Sequence, residues 1–175
     1  MTLDEARKEF FRKANLKEGG RCPCCDRYGK VYTRRINANM AFALINLYKL
    51  TIKHKDRTWF LFSEFTETRN DYEKLLFWNL IAHKPNDDDP SKRDSGYWRL
   101  TDEGRRFVEL RVMIPAKVIV YDARVKGYSA DKVSITAVLG KAFSYSELMM
   151  TGVTEPLPPL PPVTAPSTEE QNKFW

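Results

Sequence analysis

Residues 97–110 read YWRLTDEGRRFVEL, and this stretch predicts a strand that runs directly into a helix. The aromatic side chains at its start favour an extended strand. Thr101 can cap the following helix with its hydroxyl, and the two acidic residues after it suit the positive end of the helix dipole. Gly104 costs about 1 kcal/mol relative to alanine in a helix interior. We therefore expect the helix to pass close to another backbone at Gly104.

The string Leu100-Thr101-x-x-Gly104-Arg105 resembles the end of a winged helix-turn-helix domain of the MarR or PadR type. In those regulators the second strand of the wing runs through such a turn into the next helix. The resemblance implies an α+β fold whose core, residues 37–114, is a winged helix-turn-helix. It also implies that residues 97–100 pair with a strand near Ile81–Lys84 and that three earlier helices fold against them.

The first two of these helices follow from apolar spacing. Asn37 can cap a helix that runs to about Leu50, because apolar residues recur there at intervals of three and four. The aromatic cluster from Trp59 to Phe65 predicts a short second helix. Its rings are interpreted as core, and the alternative is a platform on which nucleic-acid bases stack.

The third predicted helix spans Thr68–Ala82, and in a DNA-reading domain it would enter the major groove. His83–Gly96 then forms the wing loop. The run Asp87–Asp89 argues against close contact of the whole loop with a polyanion, and a metal site there is the less favoured alternative to a solvated loop. The candidate nucleic-acid contacts in this region are Arg69, Asn70 and Lys74 on the helix, and Lys92 and Arg93 on the wing.

Two segments precede the core. Residues 1–18 predict a helix from Thr2 to Ala14, because Thr2 and Glu5 have capping-box spacing. This helix either docks on the main core or serves as a dimerisation arm. Residues 19–36 predict a basic hairpin, and residues 1–36 hold ten basic against five acidic residues within a chain of net charge +6. The predicted phosphate contacts of this hairpin are Arg21, Arg27, Lys30, Arg34 and Arg35.

The hairpin also carries a Cys-x-x-Cys pair, Cys22 and Cys25, which is typical of a zinc knuckle. No second pair exists, so a complete structural Zn²⁺ site would need His54 and His83 as further ligands. Three interpretations stay open: a structural zinc, a metal-free hairpin with free thiols, and a redox role. The last is the weakest, because no thioredoxin-like βαβ pattern accompanies the motif.

The C-terminal extension, residues 115–150, predicts a β-hairpin with its turn at Asp122–Arg124, followed by two short helices that break at Gly140. The hairpin either joins the wing sheet or forms a small separate sheet. Residues 151–175 are rich in proline and predict a flexible polyproline tail. The tail is either a simple tether or a peptide that docks on a partner.

Composition limits the classes of function. No apolar run approaches the roughly 20 residues that a membrane span requires, and the charged N-terminus lacks a secretion signal. Three clustered cysteines do not form a disulfide framework, so we expect a cytoplasmic protein. An enzyme is the least favoured class, since the chain lacks a phosphate-binding glycine loop, a nucleophile elbow and a zinc-protease helix.

Two hypotheses of function result. The first is nucleic-acid binding, with double-stranded DNA as the favoured partner and modest sequence selectivity. The second is a protein–protein interaction module built on a repurposed winged helix. The layout of residues 20–150 also resembles small uncharacterised proteins of tailed bacteriophages with a Cys-x-x-Cys hairpin. That resemblance implies a phage-encoded protein in the cytoplasm of the host bacterial cell, where it regulates genes or modulates host machinery, and a dimer is compatible with it.

Overall fold

The computed structural model describes residues 1–66, 71–87, 89, 91 and 95–151, and the fold is α+β with small antiparallel sheets. The helices are α1 (Leu3–Ala14), α2 (Ala38–Lys53), α3 (Asp102–Val108), α4 (Ile135–Leu139) and α5 (Tyr145–Met150), with 3₁₀ helices at Phe62–Glu64 and Tyr72–Trp78. The strands are β1 (Gly20–Arg21), β2 (Tyr28–Gly29), β3 (Tyr32–Arg35), β4 (Phe60–Leu61), β5 (Ile81–His83), β6 (Tyr97–Leu100), β7 (Ile114–Pro115), β8 (Lys117–Tyr121), β9 (Arg124–Tyr128) and β10 (Lys132–Val133).

These elements form two compact units. In the part of the chain that the structure describes, unit 1 comprises residues within 1–35 and 117–130, and unit 2 residues within 36–116 and 131–151. Among the helices that the structure describes, none combines the length and apolar character needed to cross a membrane. The predicted proline-rich tail lies outside the described residues from Gly152 onward.

Unit 1 begins with the predicted helix α1, and its capping box is confirmed. The Thr2 hydroxyl accepts the Glu5 amide at 3.3 Å, and the Glu5 carboxylate accepts the Thr2 amide at 2.6 Å. The rings of Phe10 and Phe11 lie 6.0 and 5.9 Å from the Tyr121 ring on β8. Because Tyr121 belongs to the main sheet of this unit, α1 packs on one end of that sheet.

The main sheet of unit 1 joins two distant parts of the chain. The predicted hairpin of residues 117–128 is confirmed as β8 and β9, and β8 pairs on its other edge with β3. The strand order is therefore β3-β8-β9, in a sheet separate from the one that contains β6. Of the two expectations for the hairpin, a place in the wing sheet is wrong. The small hairpin of β1 and β2 lies beside α1, with the three cysteines in its turn.

Unit 2 is built on α2, which Asn37 caps as predicted by accepting the Met40 amide at 3.0 Å. Its sheet has the order β4-β6-β5. The predicted pairing of residues 97–100 with the segment near Ile81 is confirmed, with Ile81 opposite Leu100 and His83 opposite Trp98. The core around these elements is apolar, and its largest fully buried side chains include Phe60, Phe107, Met40, Leu44, Leu80 and Ile135.

The start of α3 confirms the role expected for Gly104. The Thr101 hydroxyl accepts the Gly104 amide at 3.0 Å and donates to the Asn79 carbonyl at 2.6 Å. The Thr101 amide in turn donates to the Leu80 carbonyl at 3.2 Å. A Cβ built on Gly104 would collide with that same Leu80 oxygen. Glycine is therefore required here because the helix rests directly on the backbone that leads into β5.

The third predicted helix is wrong in type and extent. Its described part is a 3₁₀ helix of seven residues, Tyr72–Trp78, followed by strand β5 from Ile81. Asp71 and Asn79 bound it with left-handed φ values of 74° and 54°. Its buried residues, Tyr72, Leu75 and Trp78, recur every three residues, which is the period of a 3₁₀ helix.

The predicted second helix is also only partly correct. Within the aromatic cluster, Phe60 begins strand β4, and a single 3₁₀ turn follows at Phe62–Glu64. Phe60 and Phe65 are buried, as the core interpretation expects. The two short helices of the C-terminal extension are confirmed as α4 and α5, and Gly140 between them has a φ of 55°.

Candidate nucleic-acid interface

The positive charge of the chain is concentrated in unit 1. Its residues 1–35 and 117–130 contain 13 basic and six acidic residues, a net charge of +7. Residues 36–116 and 131–151, which make up unit 2, contain 15 basic and 14 acidic residues, a net charge of +1. Net charge therefore favours unit 1 over unit 2 as a surface for an anionic partner.

One face of the β3-β8-β9 sheet carries three cations, which we call the basic face: Arg35, Lys117 and Arg124. Arg35 lies directly opposite Lys117, and Arg124 lies directly opposite Tyr121. Each pair forms a row across the sheet. Lys117 and Tyr121 are four residues apart on β8, so the Arg35–Lys117 row and the Arg124–Tyr121 row point to the same side of the sheet. Arg35 and Arg124 are exposed and Lys117 is half-buried, whereas Val118 and Val120 on the opposite side are buried.

Three further cations, which we call the basic rim, lie beside or within this sheet: Lys30 before β3, Arg34 in β3 on the side opposite the basic face, and Lys126 in β9. The Lys30 ammonium lies 5.5 Å from the centroid of the Tyr32 ring, and the Arg34 guanidinium lies 4.8 Å from it. The Tyr32 side chain is 42% exposed. An exposed aromatic ring between cations can stack on a base while its neighbours contact phosphates.

Ion pairs compensate the charge of some of the residues predicted to contact phosphate and leave the charge of others uncompensated. Arg21 donates to the Asp26 carboxylate at 2.8 Å, so its charge is compensated locally. Within the ranges that the structure describes, no ion pair engages Arg27, Lys30, Arg34 or Arg35. These four side chains retain the charge that a phosphate contact needs.

Of the five nucleic-acid contacts predicted in unit 2, the structure describes only Lys74. Lys74 forms an ion pair with Asp71, three residues before it, so its charge is also compensated. The other four predicted contacts of this region lie outside the described residues: Arg69, Asn70, Lys92 and Arg93. The outward side of the β4-β6-β5 sheet carries aromatic side chains. Tyr97 is 37% exposed, and the Arg99 guanidinium lies 5.5 Å from the centroid of the Trp59 ring.

The predicted zinc ligands divide between the two units. Cys22 and Cys25 lie together in the turn between β1 and β2, whereas His54 and His83 belong to unit 2. The backbone amides of Cys24 and Cys25 donate to the Cys22 sulfur, and these hydrogen bonds lower the pKa of the Cys22 thiol. Among the described residues, no group of three or more histidine, cysteine or acidic side chains is placed to hold a metal ion.

Three cations of the basic face and basic rim are not predicted from the sequence: Lys117, Arg124 and Lys126. They come from the C-terminal hairpin, to which the sequence assigned no chemistry. The signal that points to them is the composition of residues 117–130, which hold three basic residues and one acidic residue. Their grouping with Arg34 and Arg35 depends on the pairing of β3 with β8, which local pattern does not reveal.

Comparison with protein-family models, with curated proteins and with solved structures finds no match to this chain.

Proposed function

We propose that this chain is a phage-encoded nucleic-acid-binding protein that acts in the host cytoplasm and holds DNA through the sheet of unit 1. The observation that carries the proposal is the direct cross-strand pairing of Arg35 with Lys117 in a unit of net charge +7. Like charges placed directly opposite each other destabilise a sheet. Bound phosphate removes that repulsion and releases counterions, so the arrangement favours a complex with a polyanion.

The dimensions of the basic face fit a duplex. The row that contains Arg35 and Lys117 and the row that contains Arg124 are four residues apart along β8. Four residues of a strand span about 13 Å. That distance is close to the roughly 12 Å width of the DNA major groove. Phe10 and Phe11 of α1 pack on Tyr121 in the second row, so DNA contacts this row through the exposed Arg124 on the edge strand β9.

Modest sequence selectivity is part of the proposal. Arginine and lysine side chains on a sheet contact phosphates, which position a protein but carry no sequence information. The segment expected to read bases is a 3₁₀ helix in its described part, and its Lys74 is engaged by Asp71. We therefore assign the binding energy to unit 1 and its phosphate contacts.

We propose a winged-helix body for unit 2. The order of its elements supports this assignment: α2, strand β4, two 3₁₀ helices, the hairpin of β5 and β6, and then α3. The capped turn at Thr101 lies where the regulators place it, between the second hairpin strand and the next helix. The proposed phage setting rests on the resemblance of the layout of residues 20–150 to small tailed-phage proteins with a Cys-x-x-Cys hairpin.

Binding of the full chain to two fluorescent DNA duplexes of unrelated sequence tests this function. We expect measurable anisotropy changes with both duplexes at about 50 mM salt, and dissociation constants that agree within about tenfold. Absence of binding to either duplex would contradict nucleic-acid binding. A preference of about 1,000-fold or more for one duplex would instead contradict modest selectivity, because ratios of that size mark specific recognition.

A protein partner is the second candidate, and the outward side of the β4-β6-β5 sheet favours it. Leu61 and Tyr97, which lie opposite each other on β4 and β6, are 38% and 37% exposed. Apolar side chains of this kind anchor protein interfaces when they are covered. Capture of a host protein by the tagged chain from nuclease-treated lysate, with loss of capture in Leu61→Asp, would support this candidate over DNA binding.

A further inference from the structure

The turn that carries the cysteines is held in one shape by its backbone. The Cys22 amide donates to the Arg27 carbonyl and the Asp26 amide donates to the Cys22 carbonyl, both at 2.9 Å. Asp26 has a φ of 55°, which closes the turn. These bonds therefore hold the backbone of the turn that carries Cys22 and Cys25 in one conformation.

The exposure of the turn makes its sulfur atoms available to another molecule. Cys24 and Cys25 are exposed, and Cys22 is half-buried. Pro23, Asp26 and Arg27 around them are exposed as well. The thiols therefore lie at the tip of a two-stranded hairpin rather than inside a core.

A complete zinc site requires more ligands than one such turn offers. Structural zinc is bound tetrahedrally by four cysteine or histidine side chains. The whole sequence contains three cysteines and two histidines. Both histidines belong to unit 2, where the His54 ring lies 6.3 Å from Phe60 and the His83 ring 5.8 Å from Trp98. Among the described residues no third ligand joins the cysteine pair.

We propose that two copies of this chain share one Zn²⁺, each copy supplying Cys22 and Cys25 from the tip of its hairpin. The Cys-x-x-Cys spacing places two thiolates on one edge of a tetrahedron, and the second copy supplies the opposite edge. Each thiol gives up its proton to solvent when it binds the metal. The link needs little other contact between the copies, because the metal itself holds the two turns together.

Charge near the turn is consistent with this arrangement. Four thiolates around Zn²⁺ carry a net charge of −2. Arg21 is engaged by Asp26 in the same turn, whereas Arg27 has no ion pair among the described residues. One Arg27 from each copy offsets the charge of the metal centre. The site does not depend on DNA, so its test is independent of the proposed function.

Mass and metal content of the full chain test the proposal. Reduced protein is loaded with zinc, freed of excess metal, and measured by light scattering and by elemental analysis. We expect one zinc per two chains and twice the monomer mass of 20.4 kDa, with return to monomer after a strong chelator is added. Titration of the metal-free chain with Co²⁺ should reach its end point at half an equivalent, with the intense visible absorption of a tetrahedral thiolate site.

Cys24→Ser is the matched control, because Cys24 lies between the two ligands in the chain and is exposed like Cys25. It should keep the zinc and the dimer, whereas Cys22→Ser and Cys25→Ser should lose both. One zinc per monomeric chain, a dimer that the chelator does not dissociate, or no retained metal would each overturn the proposal. The Co²⁺ end point uses the unaltered chain, so the proposal stays testable if a serine variant fails to fold.

Discussion

The triple variant Arg35→Glu/Lys117→Glu/Arg124→Glu is expected to bind duplex DNA at least about 100-fold more weakly than the unaltered chain at low salt. The three residues form the basic face of the β3-β8-β9 sheet. Their reversal removes three cations from the phosphates and places three carboxylates against the polyanion. The slope of log K against log salt should also become shallower by about three, at roughly 0.9 for each phosphate that is no longer neutralised. Fluorescence anisotropy over a salt series measures both quantities.

The matched control reverses three exposed lysines of unit 2, Lys53, Lys132 and Lys141. This variant has the same change in net charge, so it separates a local contact from a general effect of charge. We expect its affinity to fall by less than about tenfold, because screening weakens charges that lie away from the DNA. Equal reductions in affinity in the two variants would mean that the basic face is not the site of contact.

Gly104→Ala is expected to destabilise unit 2 by about 3 kcal/mol. Helix propensity alone predicts the opposite sign, since alanine is favoured over glycine by about 1 kcal/mol in a helix interior. The clash decides the outcome, because the new methyl group would meet the Leu80 carbonyl and would lie 2.9 Å from a Leu100 methyl group. The Leu80 oxygen is held by the Thr101 amide and cannot move without breaking that hydrogen bond.

Tryptophan fluorescence during urea unfolding measures this change, because Trp59, Trp78 and Trp98 all lie in unit 2. Glu103→Ala, one position earlier in α3, is the control and should shift stability by no more than about 0.5 kcal/mol. A Gly104→Ala protein as stable as the unaltered chain would show that α3 does not rest on the Leu80 backbone. In that case the account of the junction between β6 and α3 would be incorrect.

Local chemistry was enough to predict the elements whose ends are fixed by nearby side chains. Thr2, Asn37 and Thr101 each cap the helix that the sequence placed after them. The third predicted helix is wrong because the helical period of 3.6 does not describe its apolar residues. Tyr72, Leu75 and Trp78 instead follow a period of three, between Asp71 and Asn79, which have positive φ. Asp and Asn adopt positive φ more often than other non-glycine residues, but most of them do not.

The candidate interface was only partly predictable for a different reason. The cations near the cysteine hairpin were identified because they are dense in the sequence. Their partners on β8 and β9 are more than 80 residues away, and only the pairing of Arg35 with Lys117 brings the two groups together. Pairing between distant strands depends on packing of the whole unit, so neither charge counts nor periodicity could predict it.

The most direct test of the central claim is the salt dependence of duplex binding by the full chain. If unit 1 holds DNA through phosphate contacts from the basic face and rim, log K should fall linearly with log salt, with a slope of about −4 or steeper. An affinity that stays constant as salt increases, or no binding at about 50 mM salt, would contradict the claim.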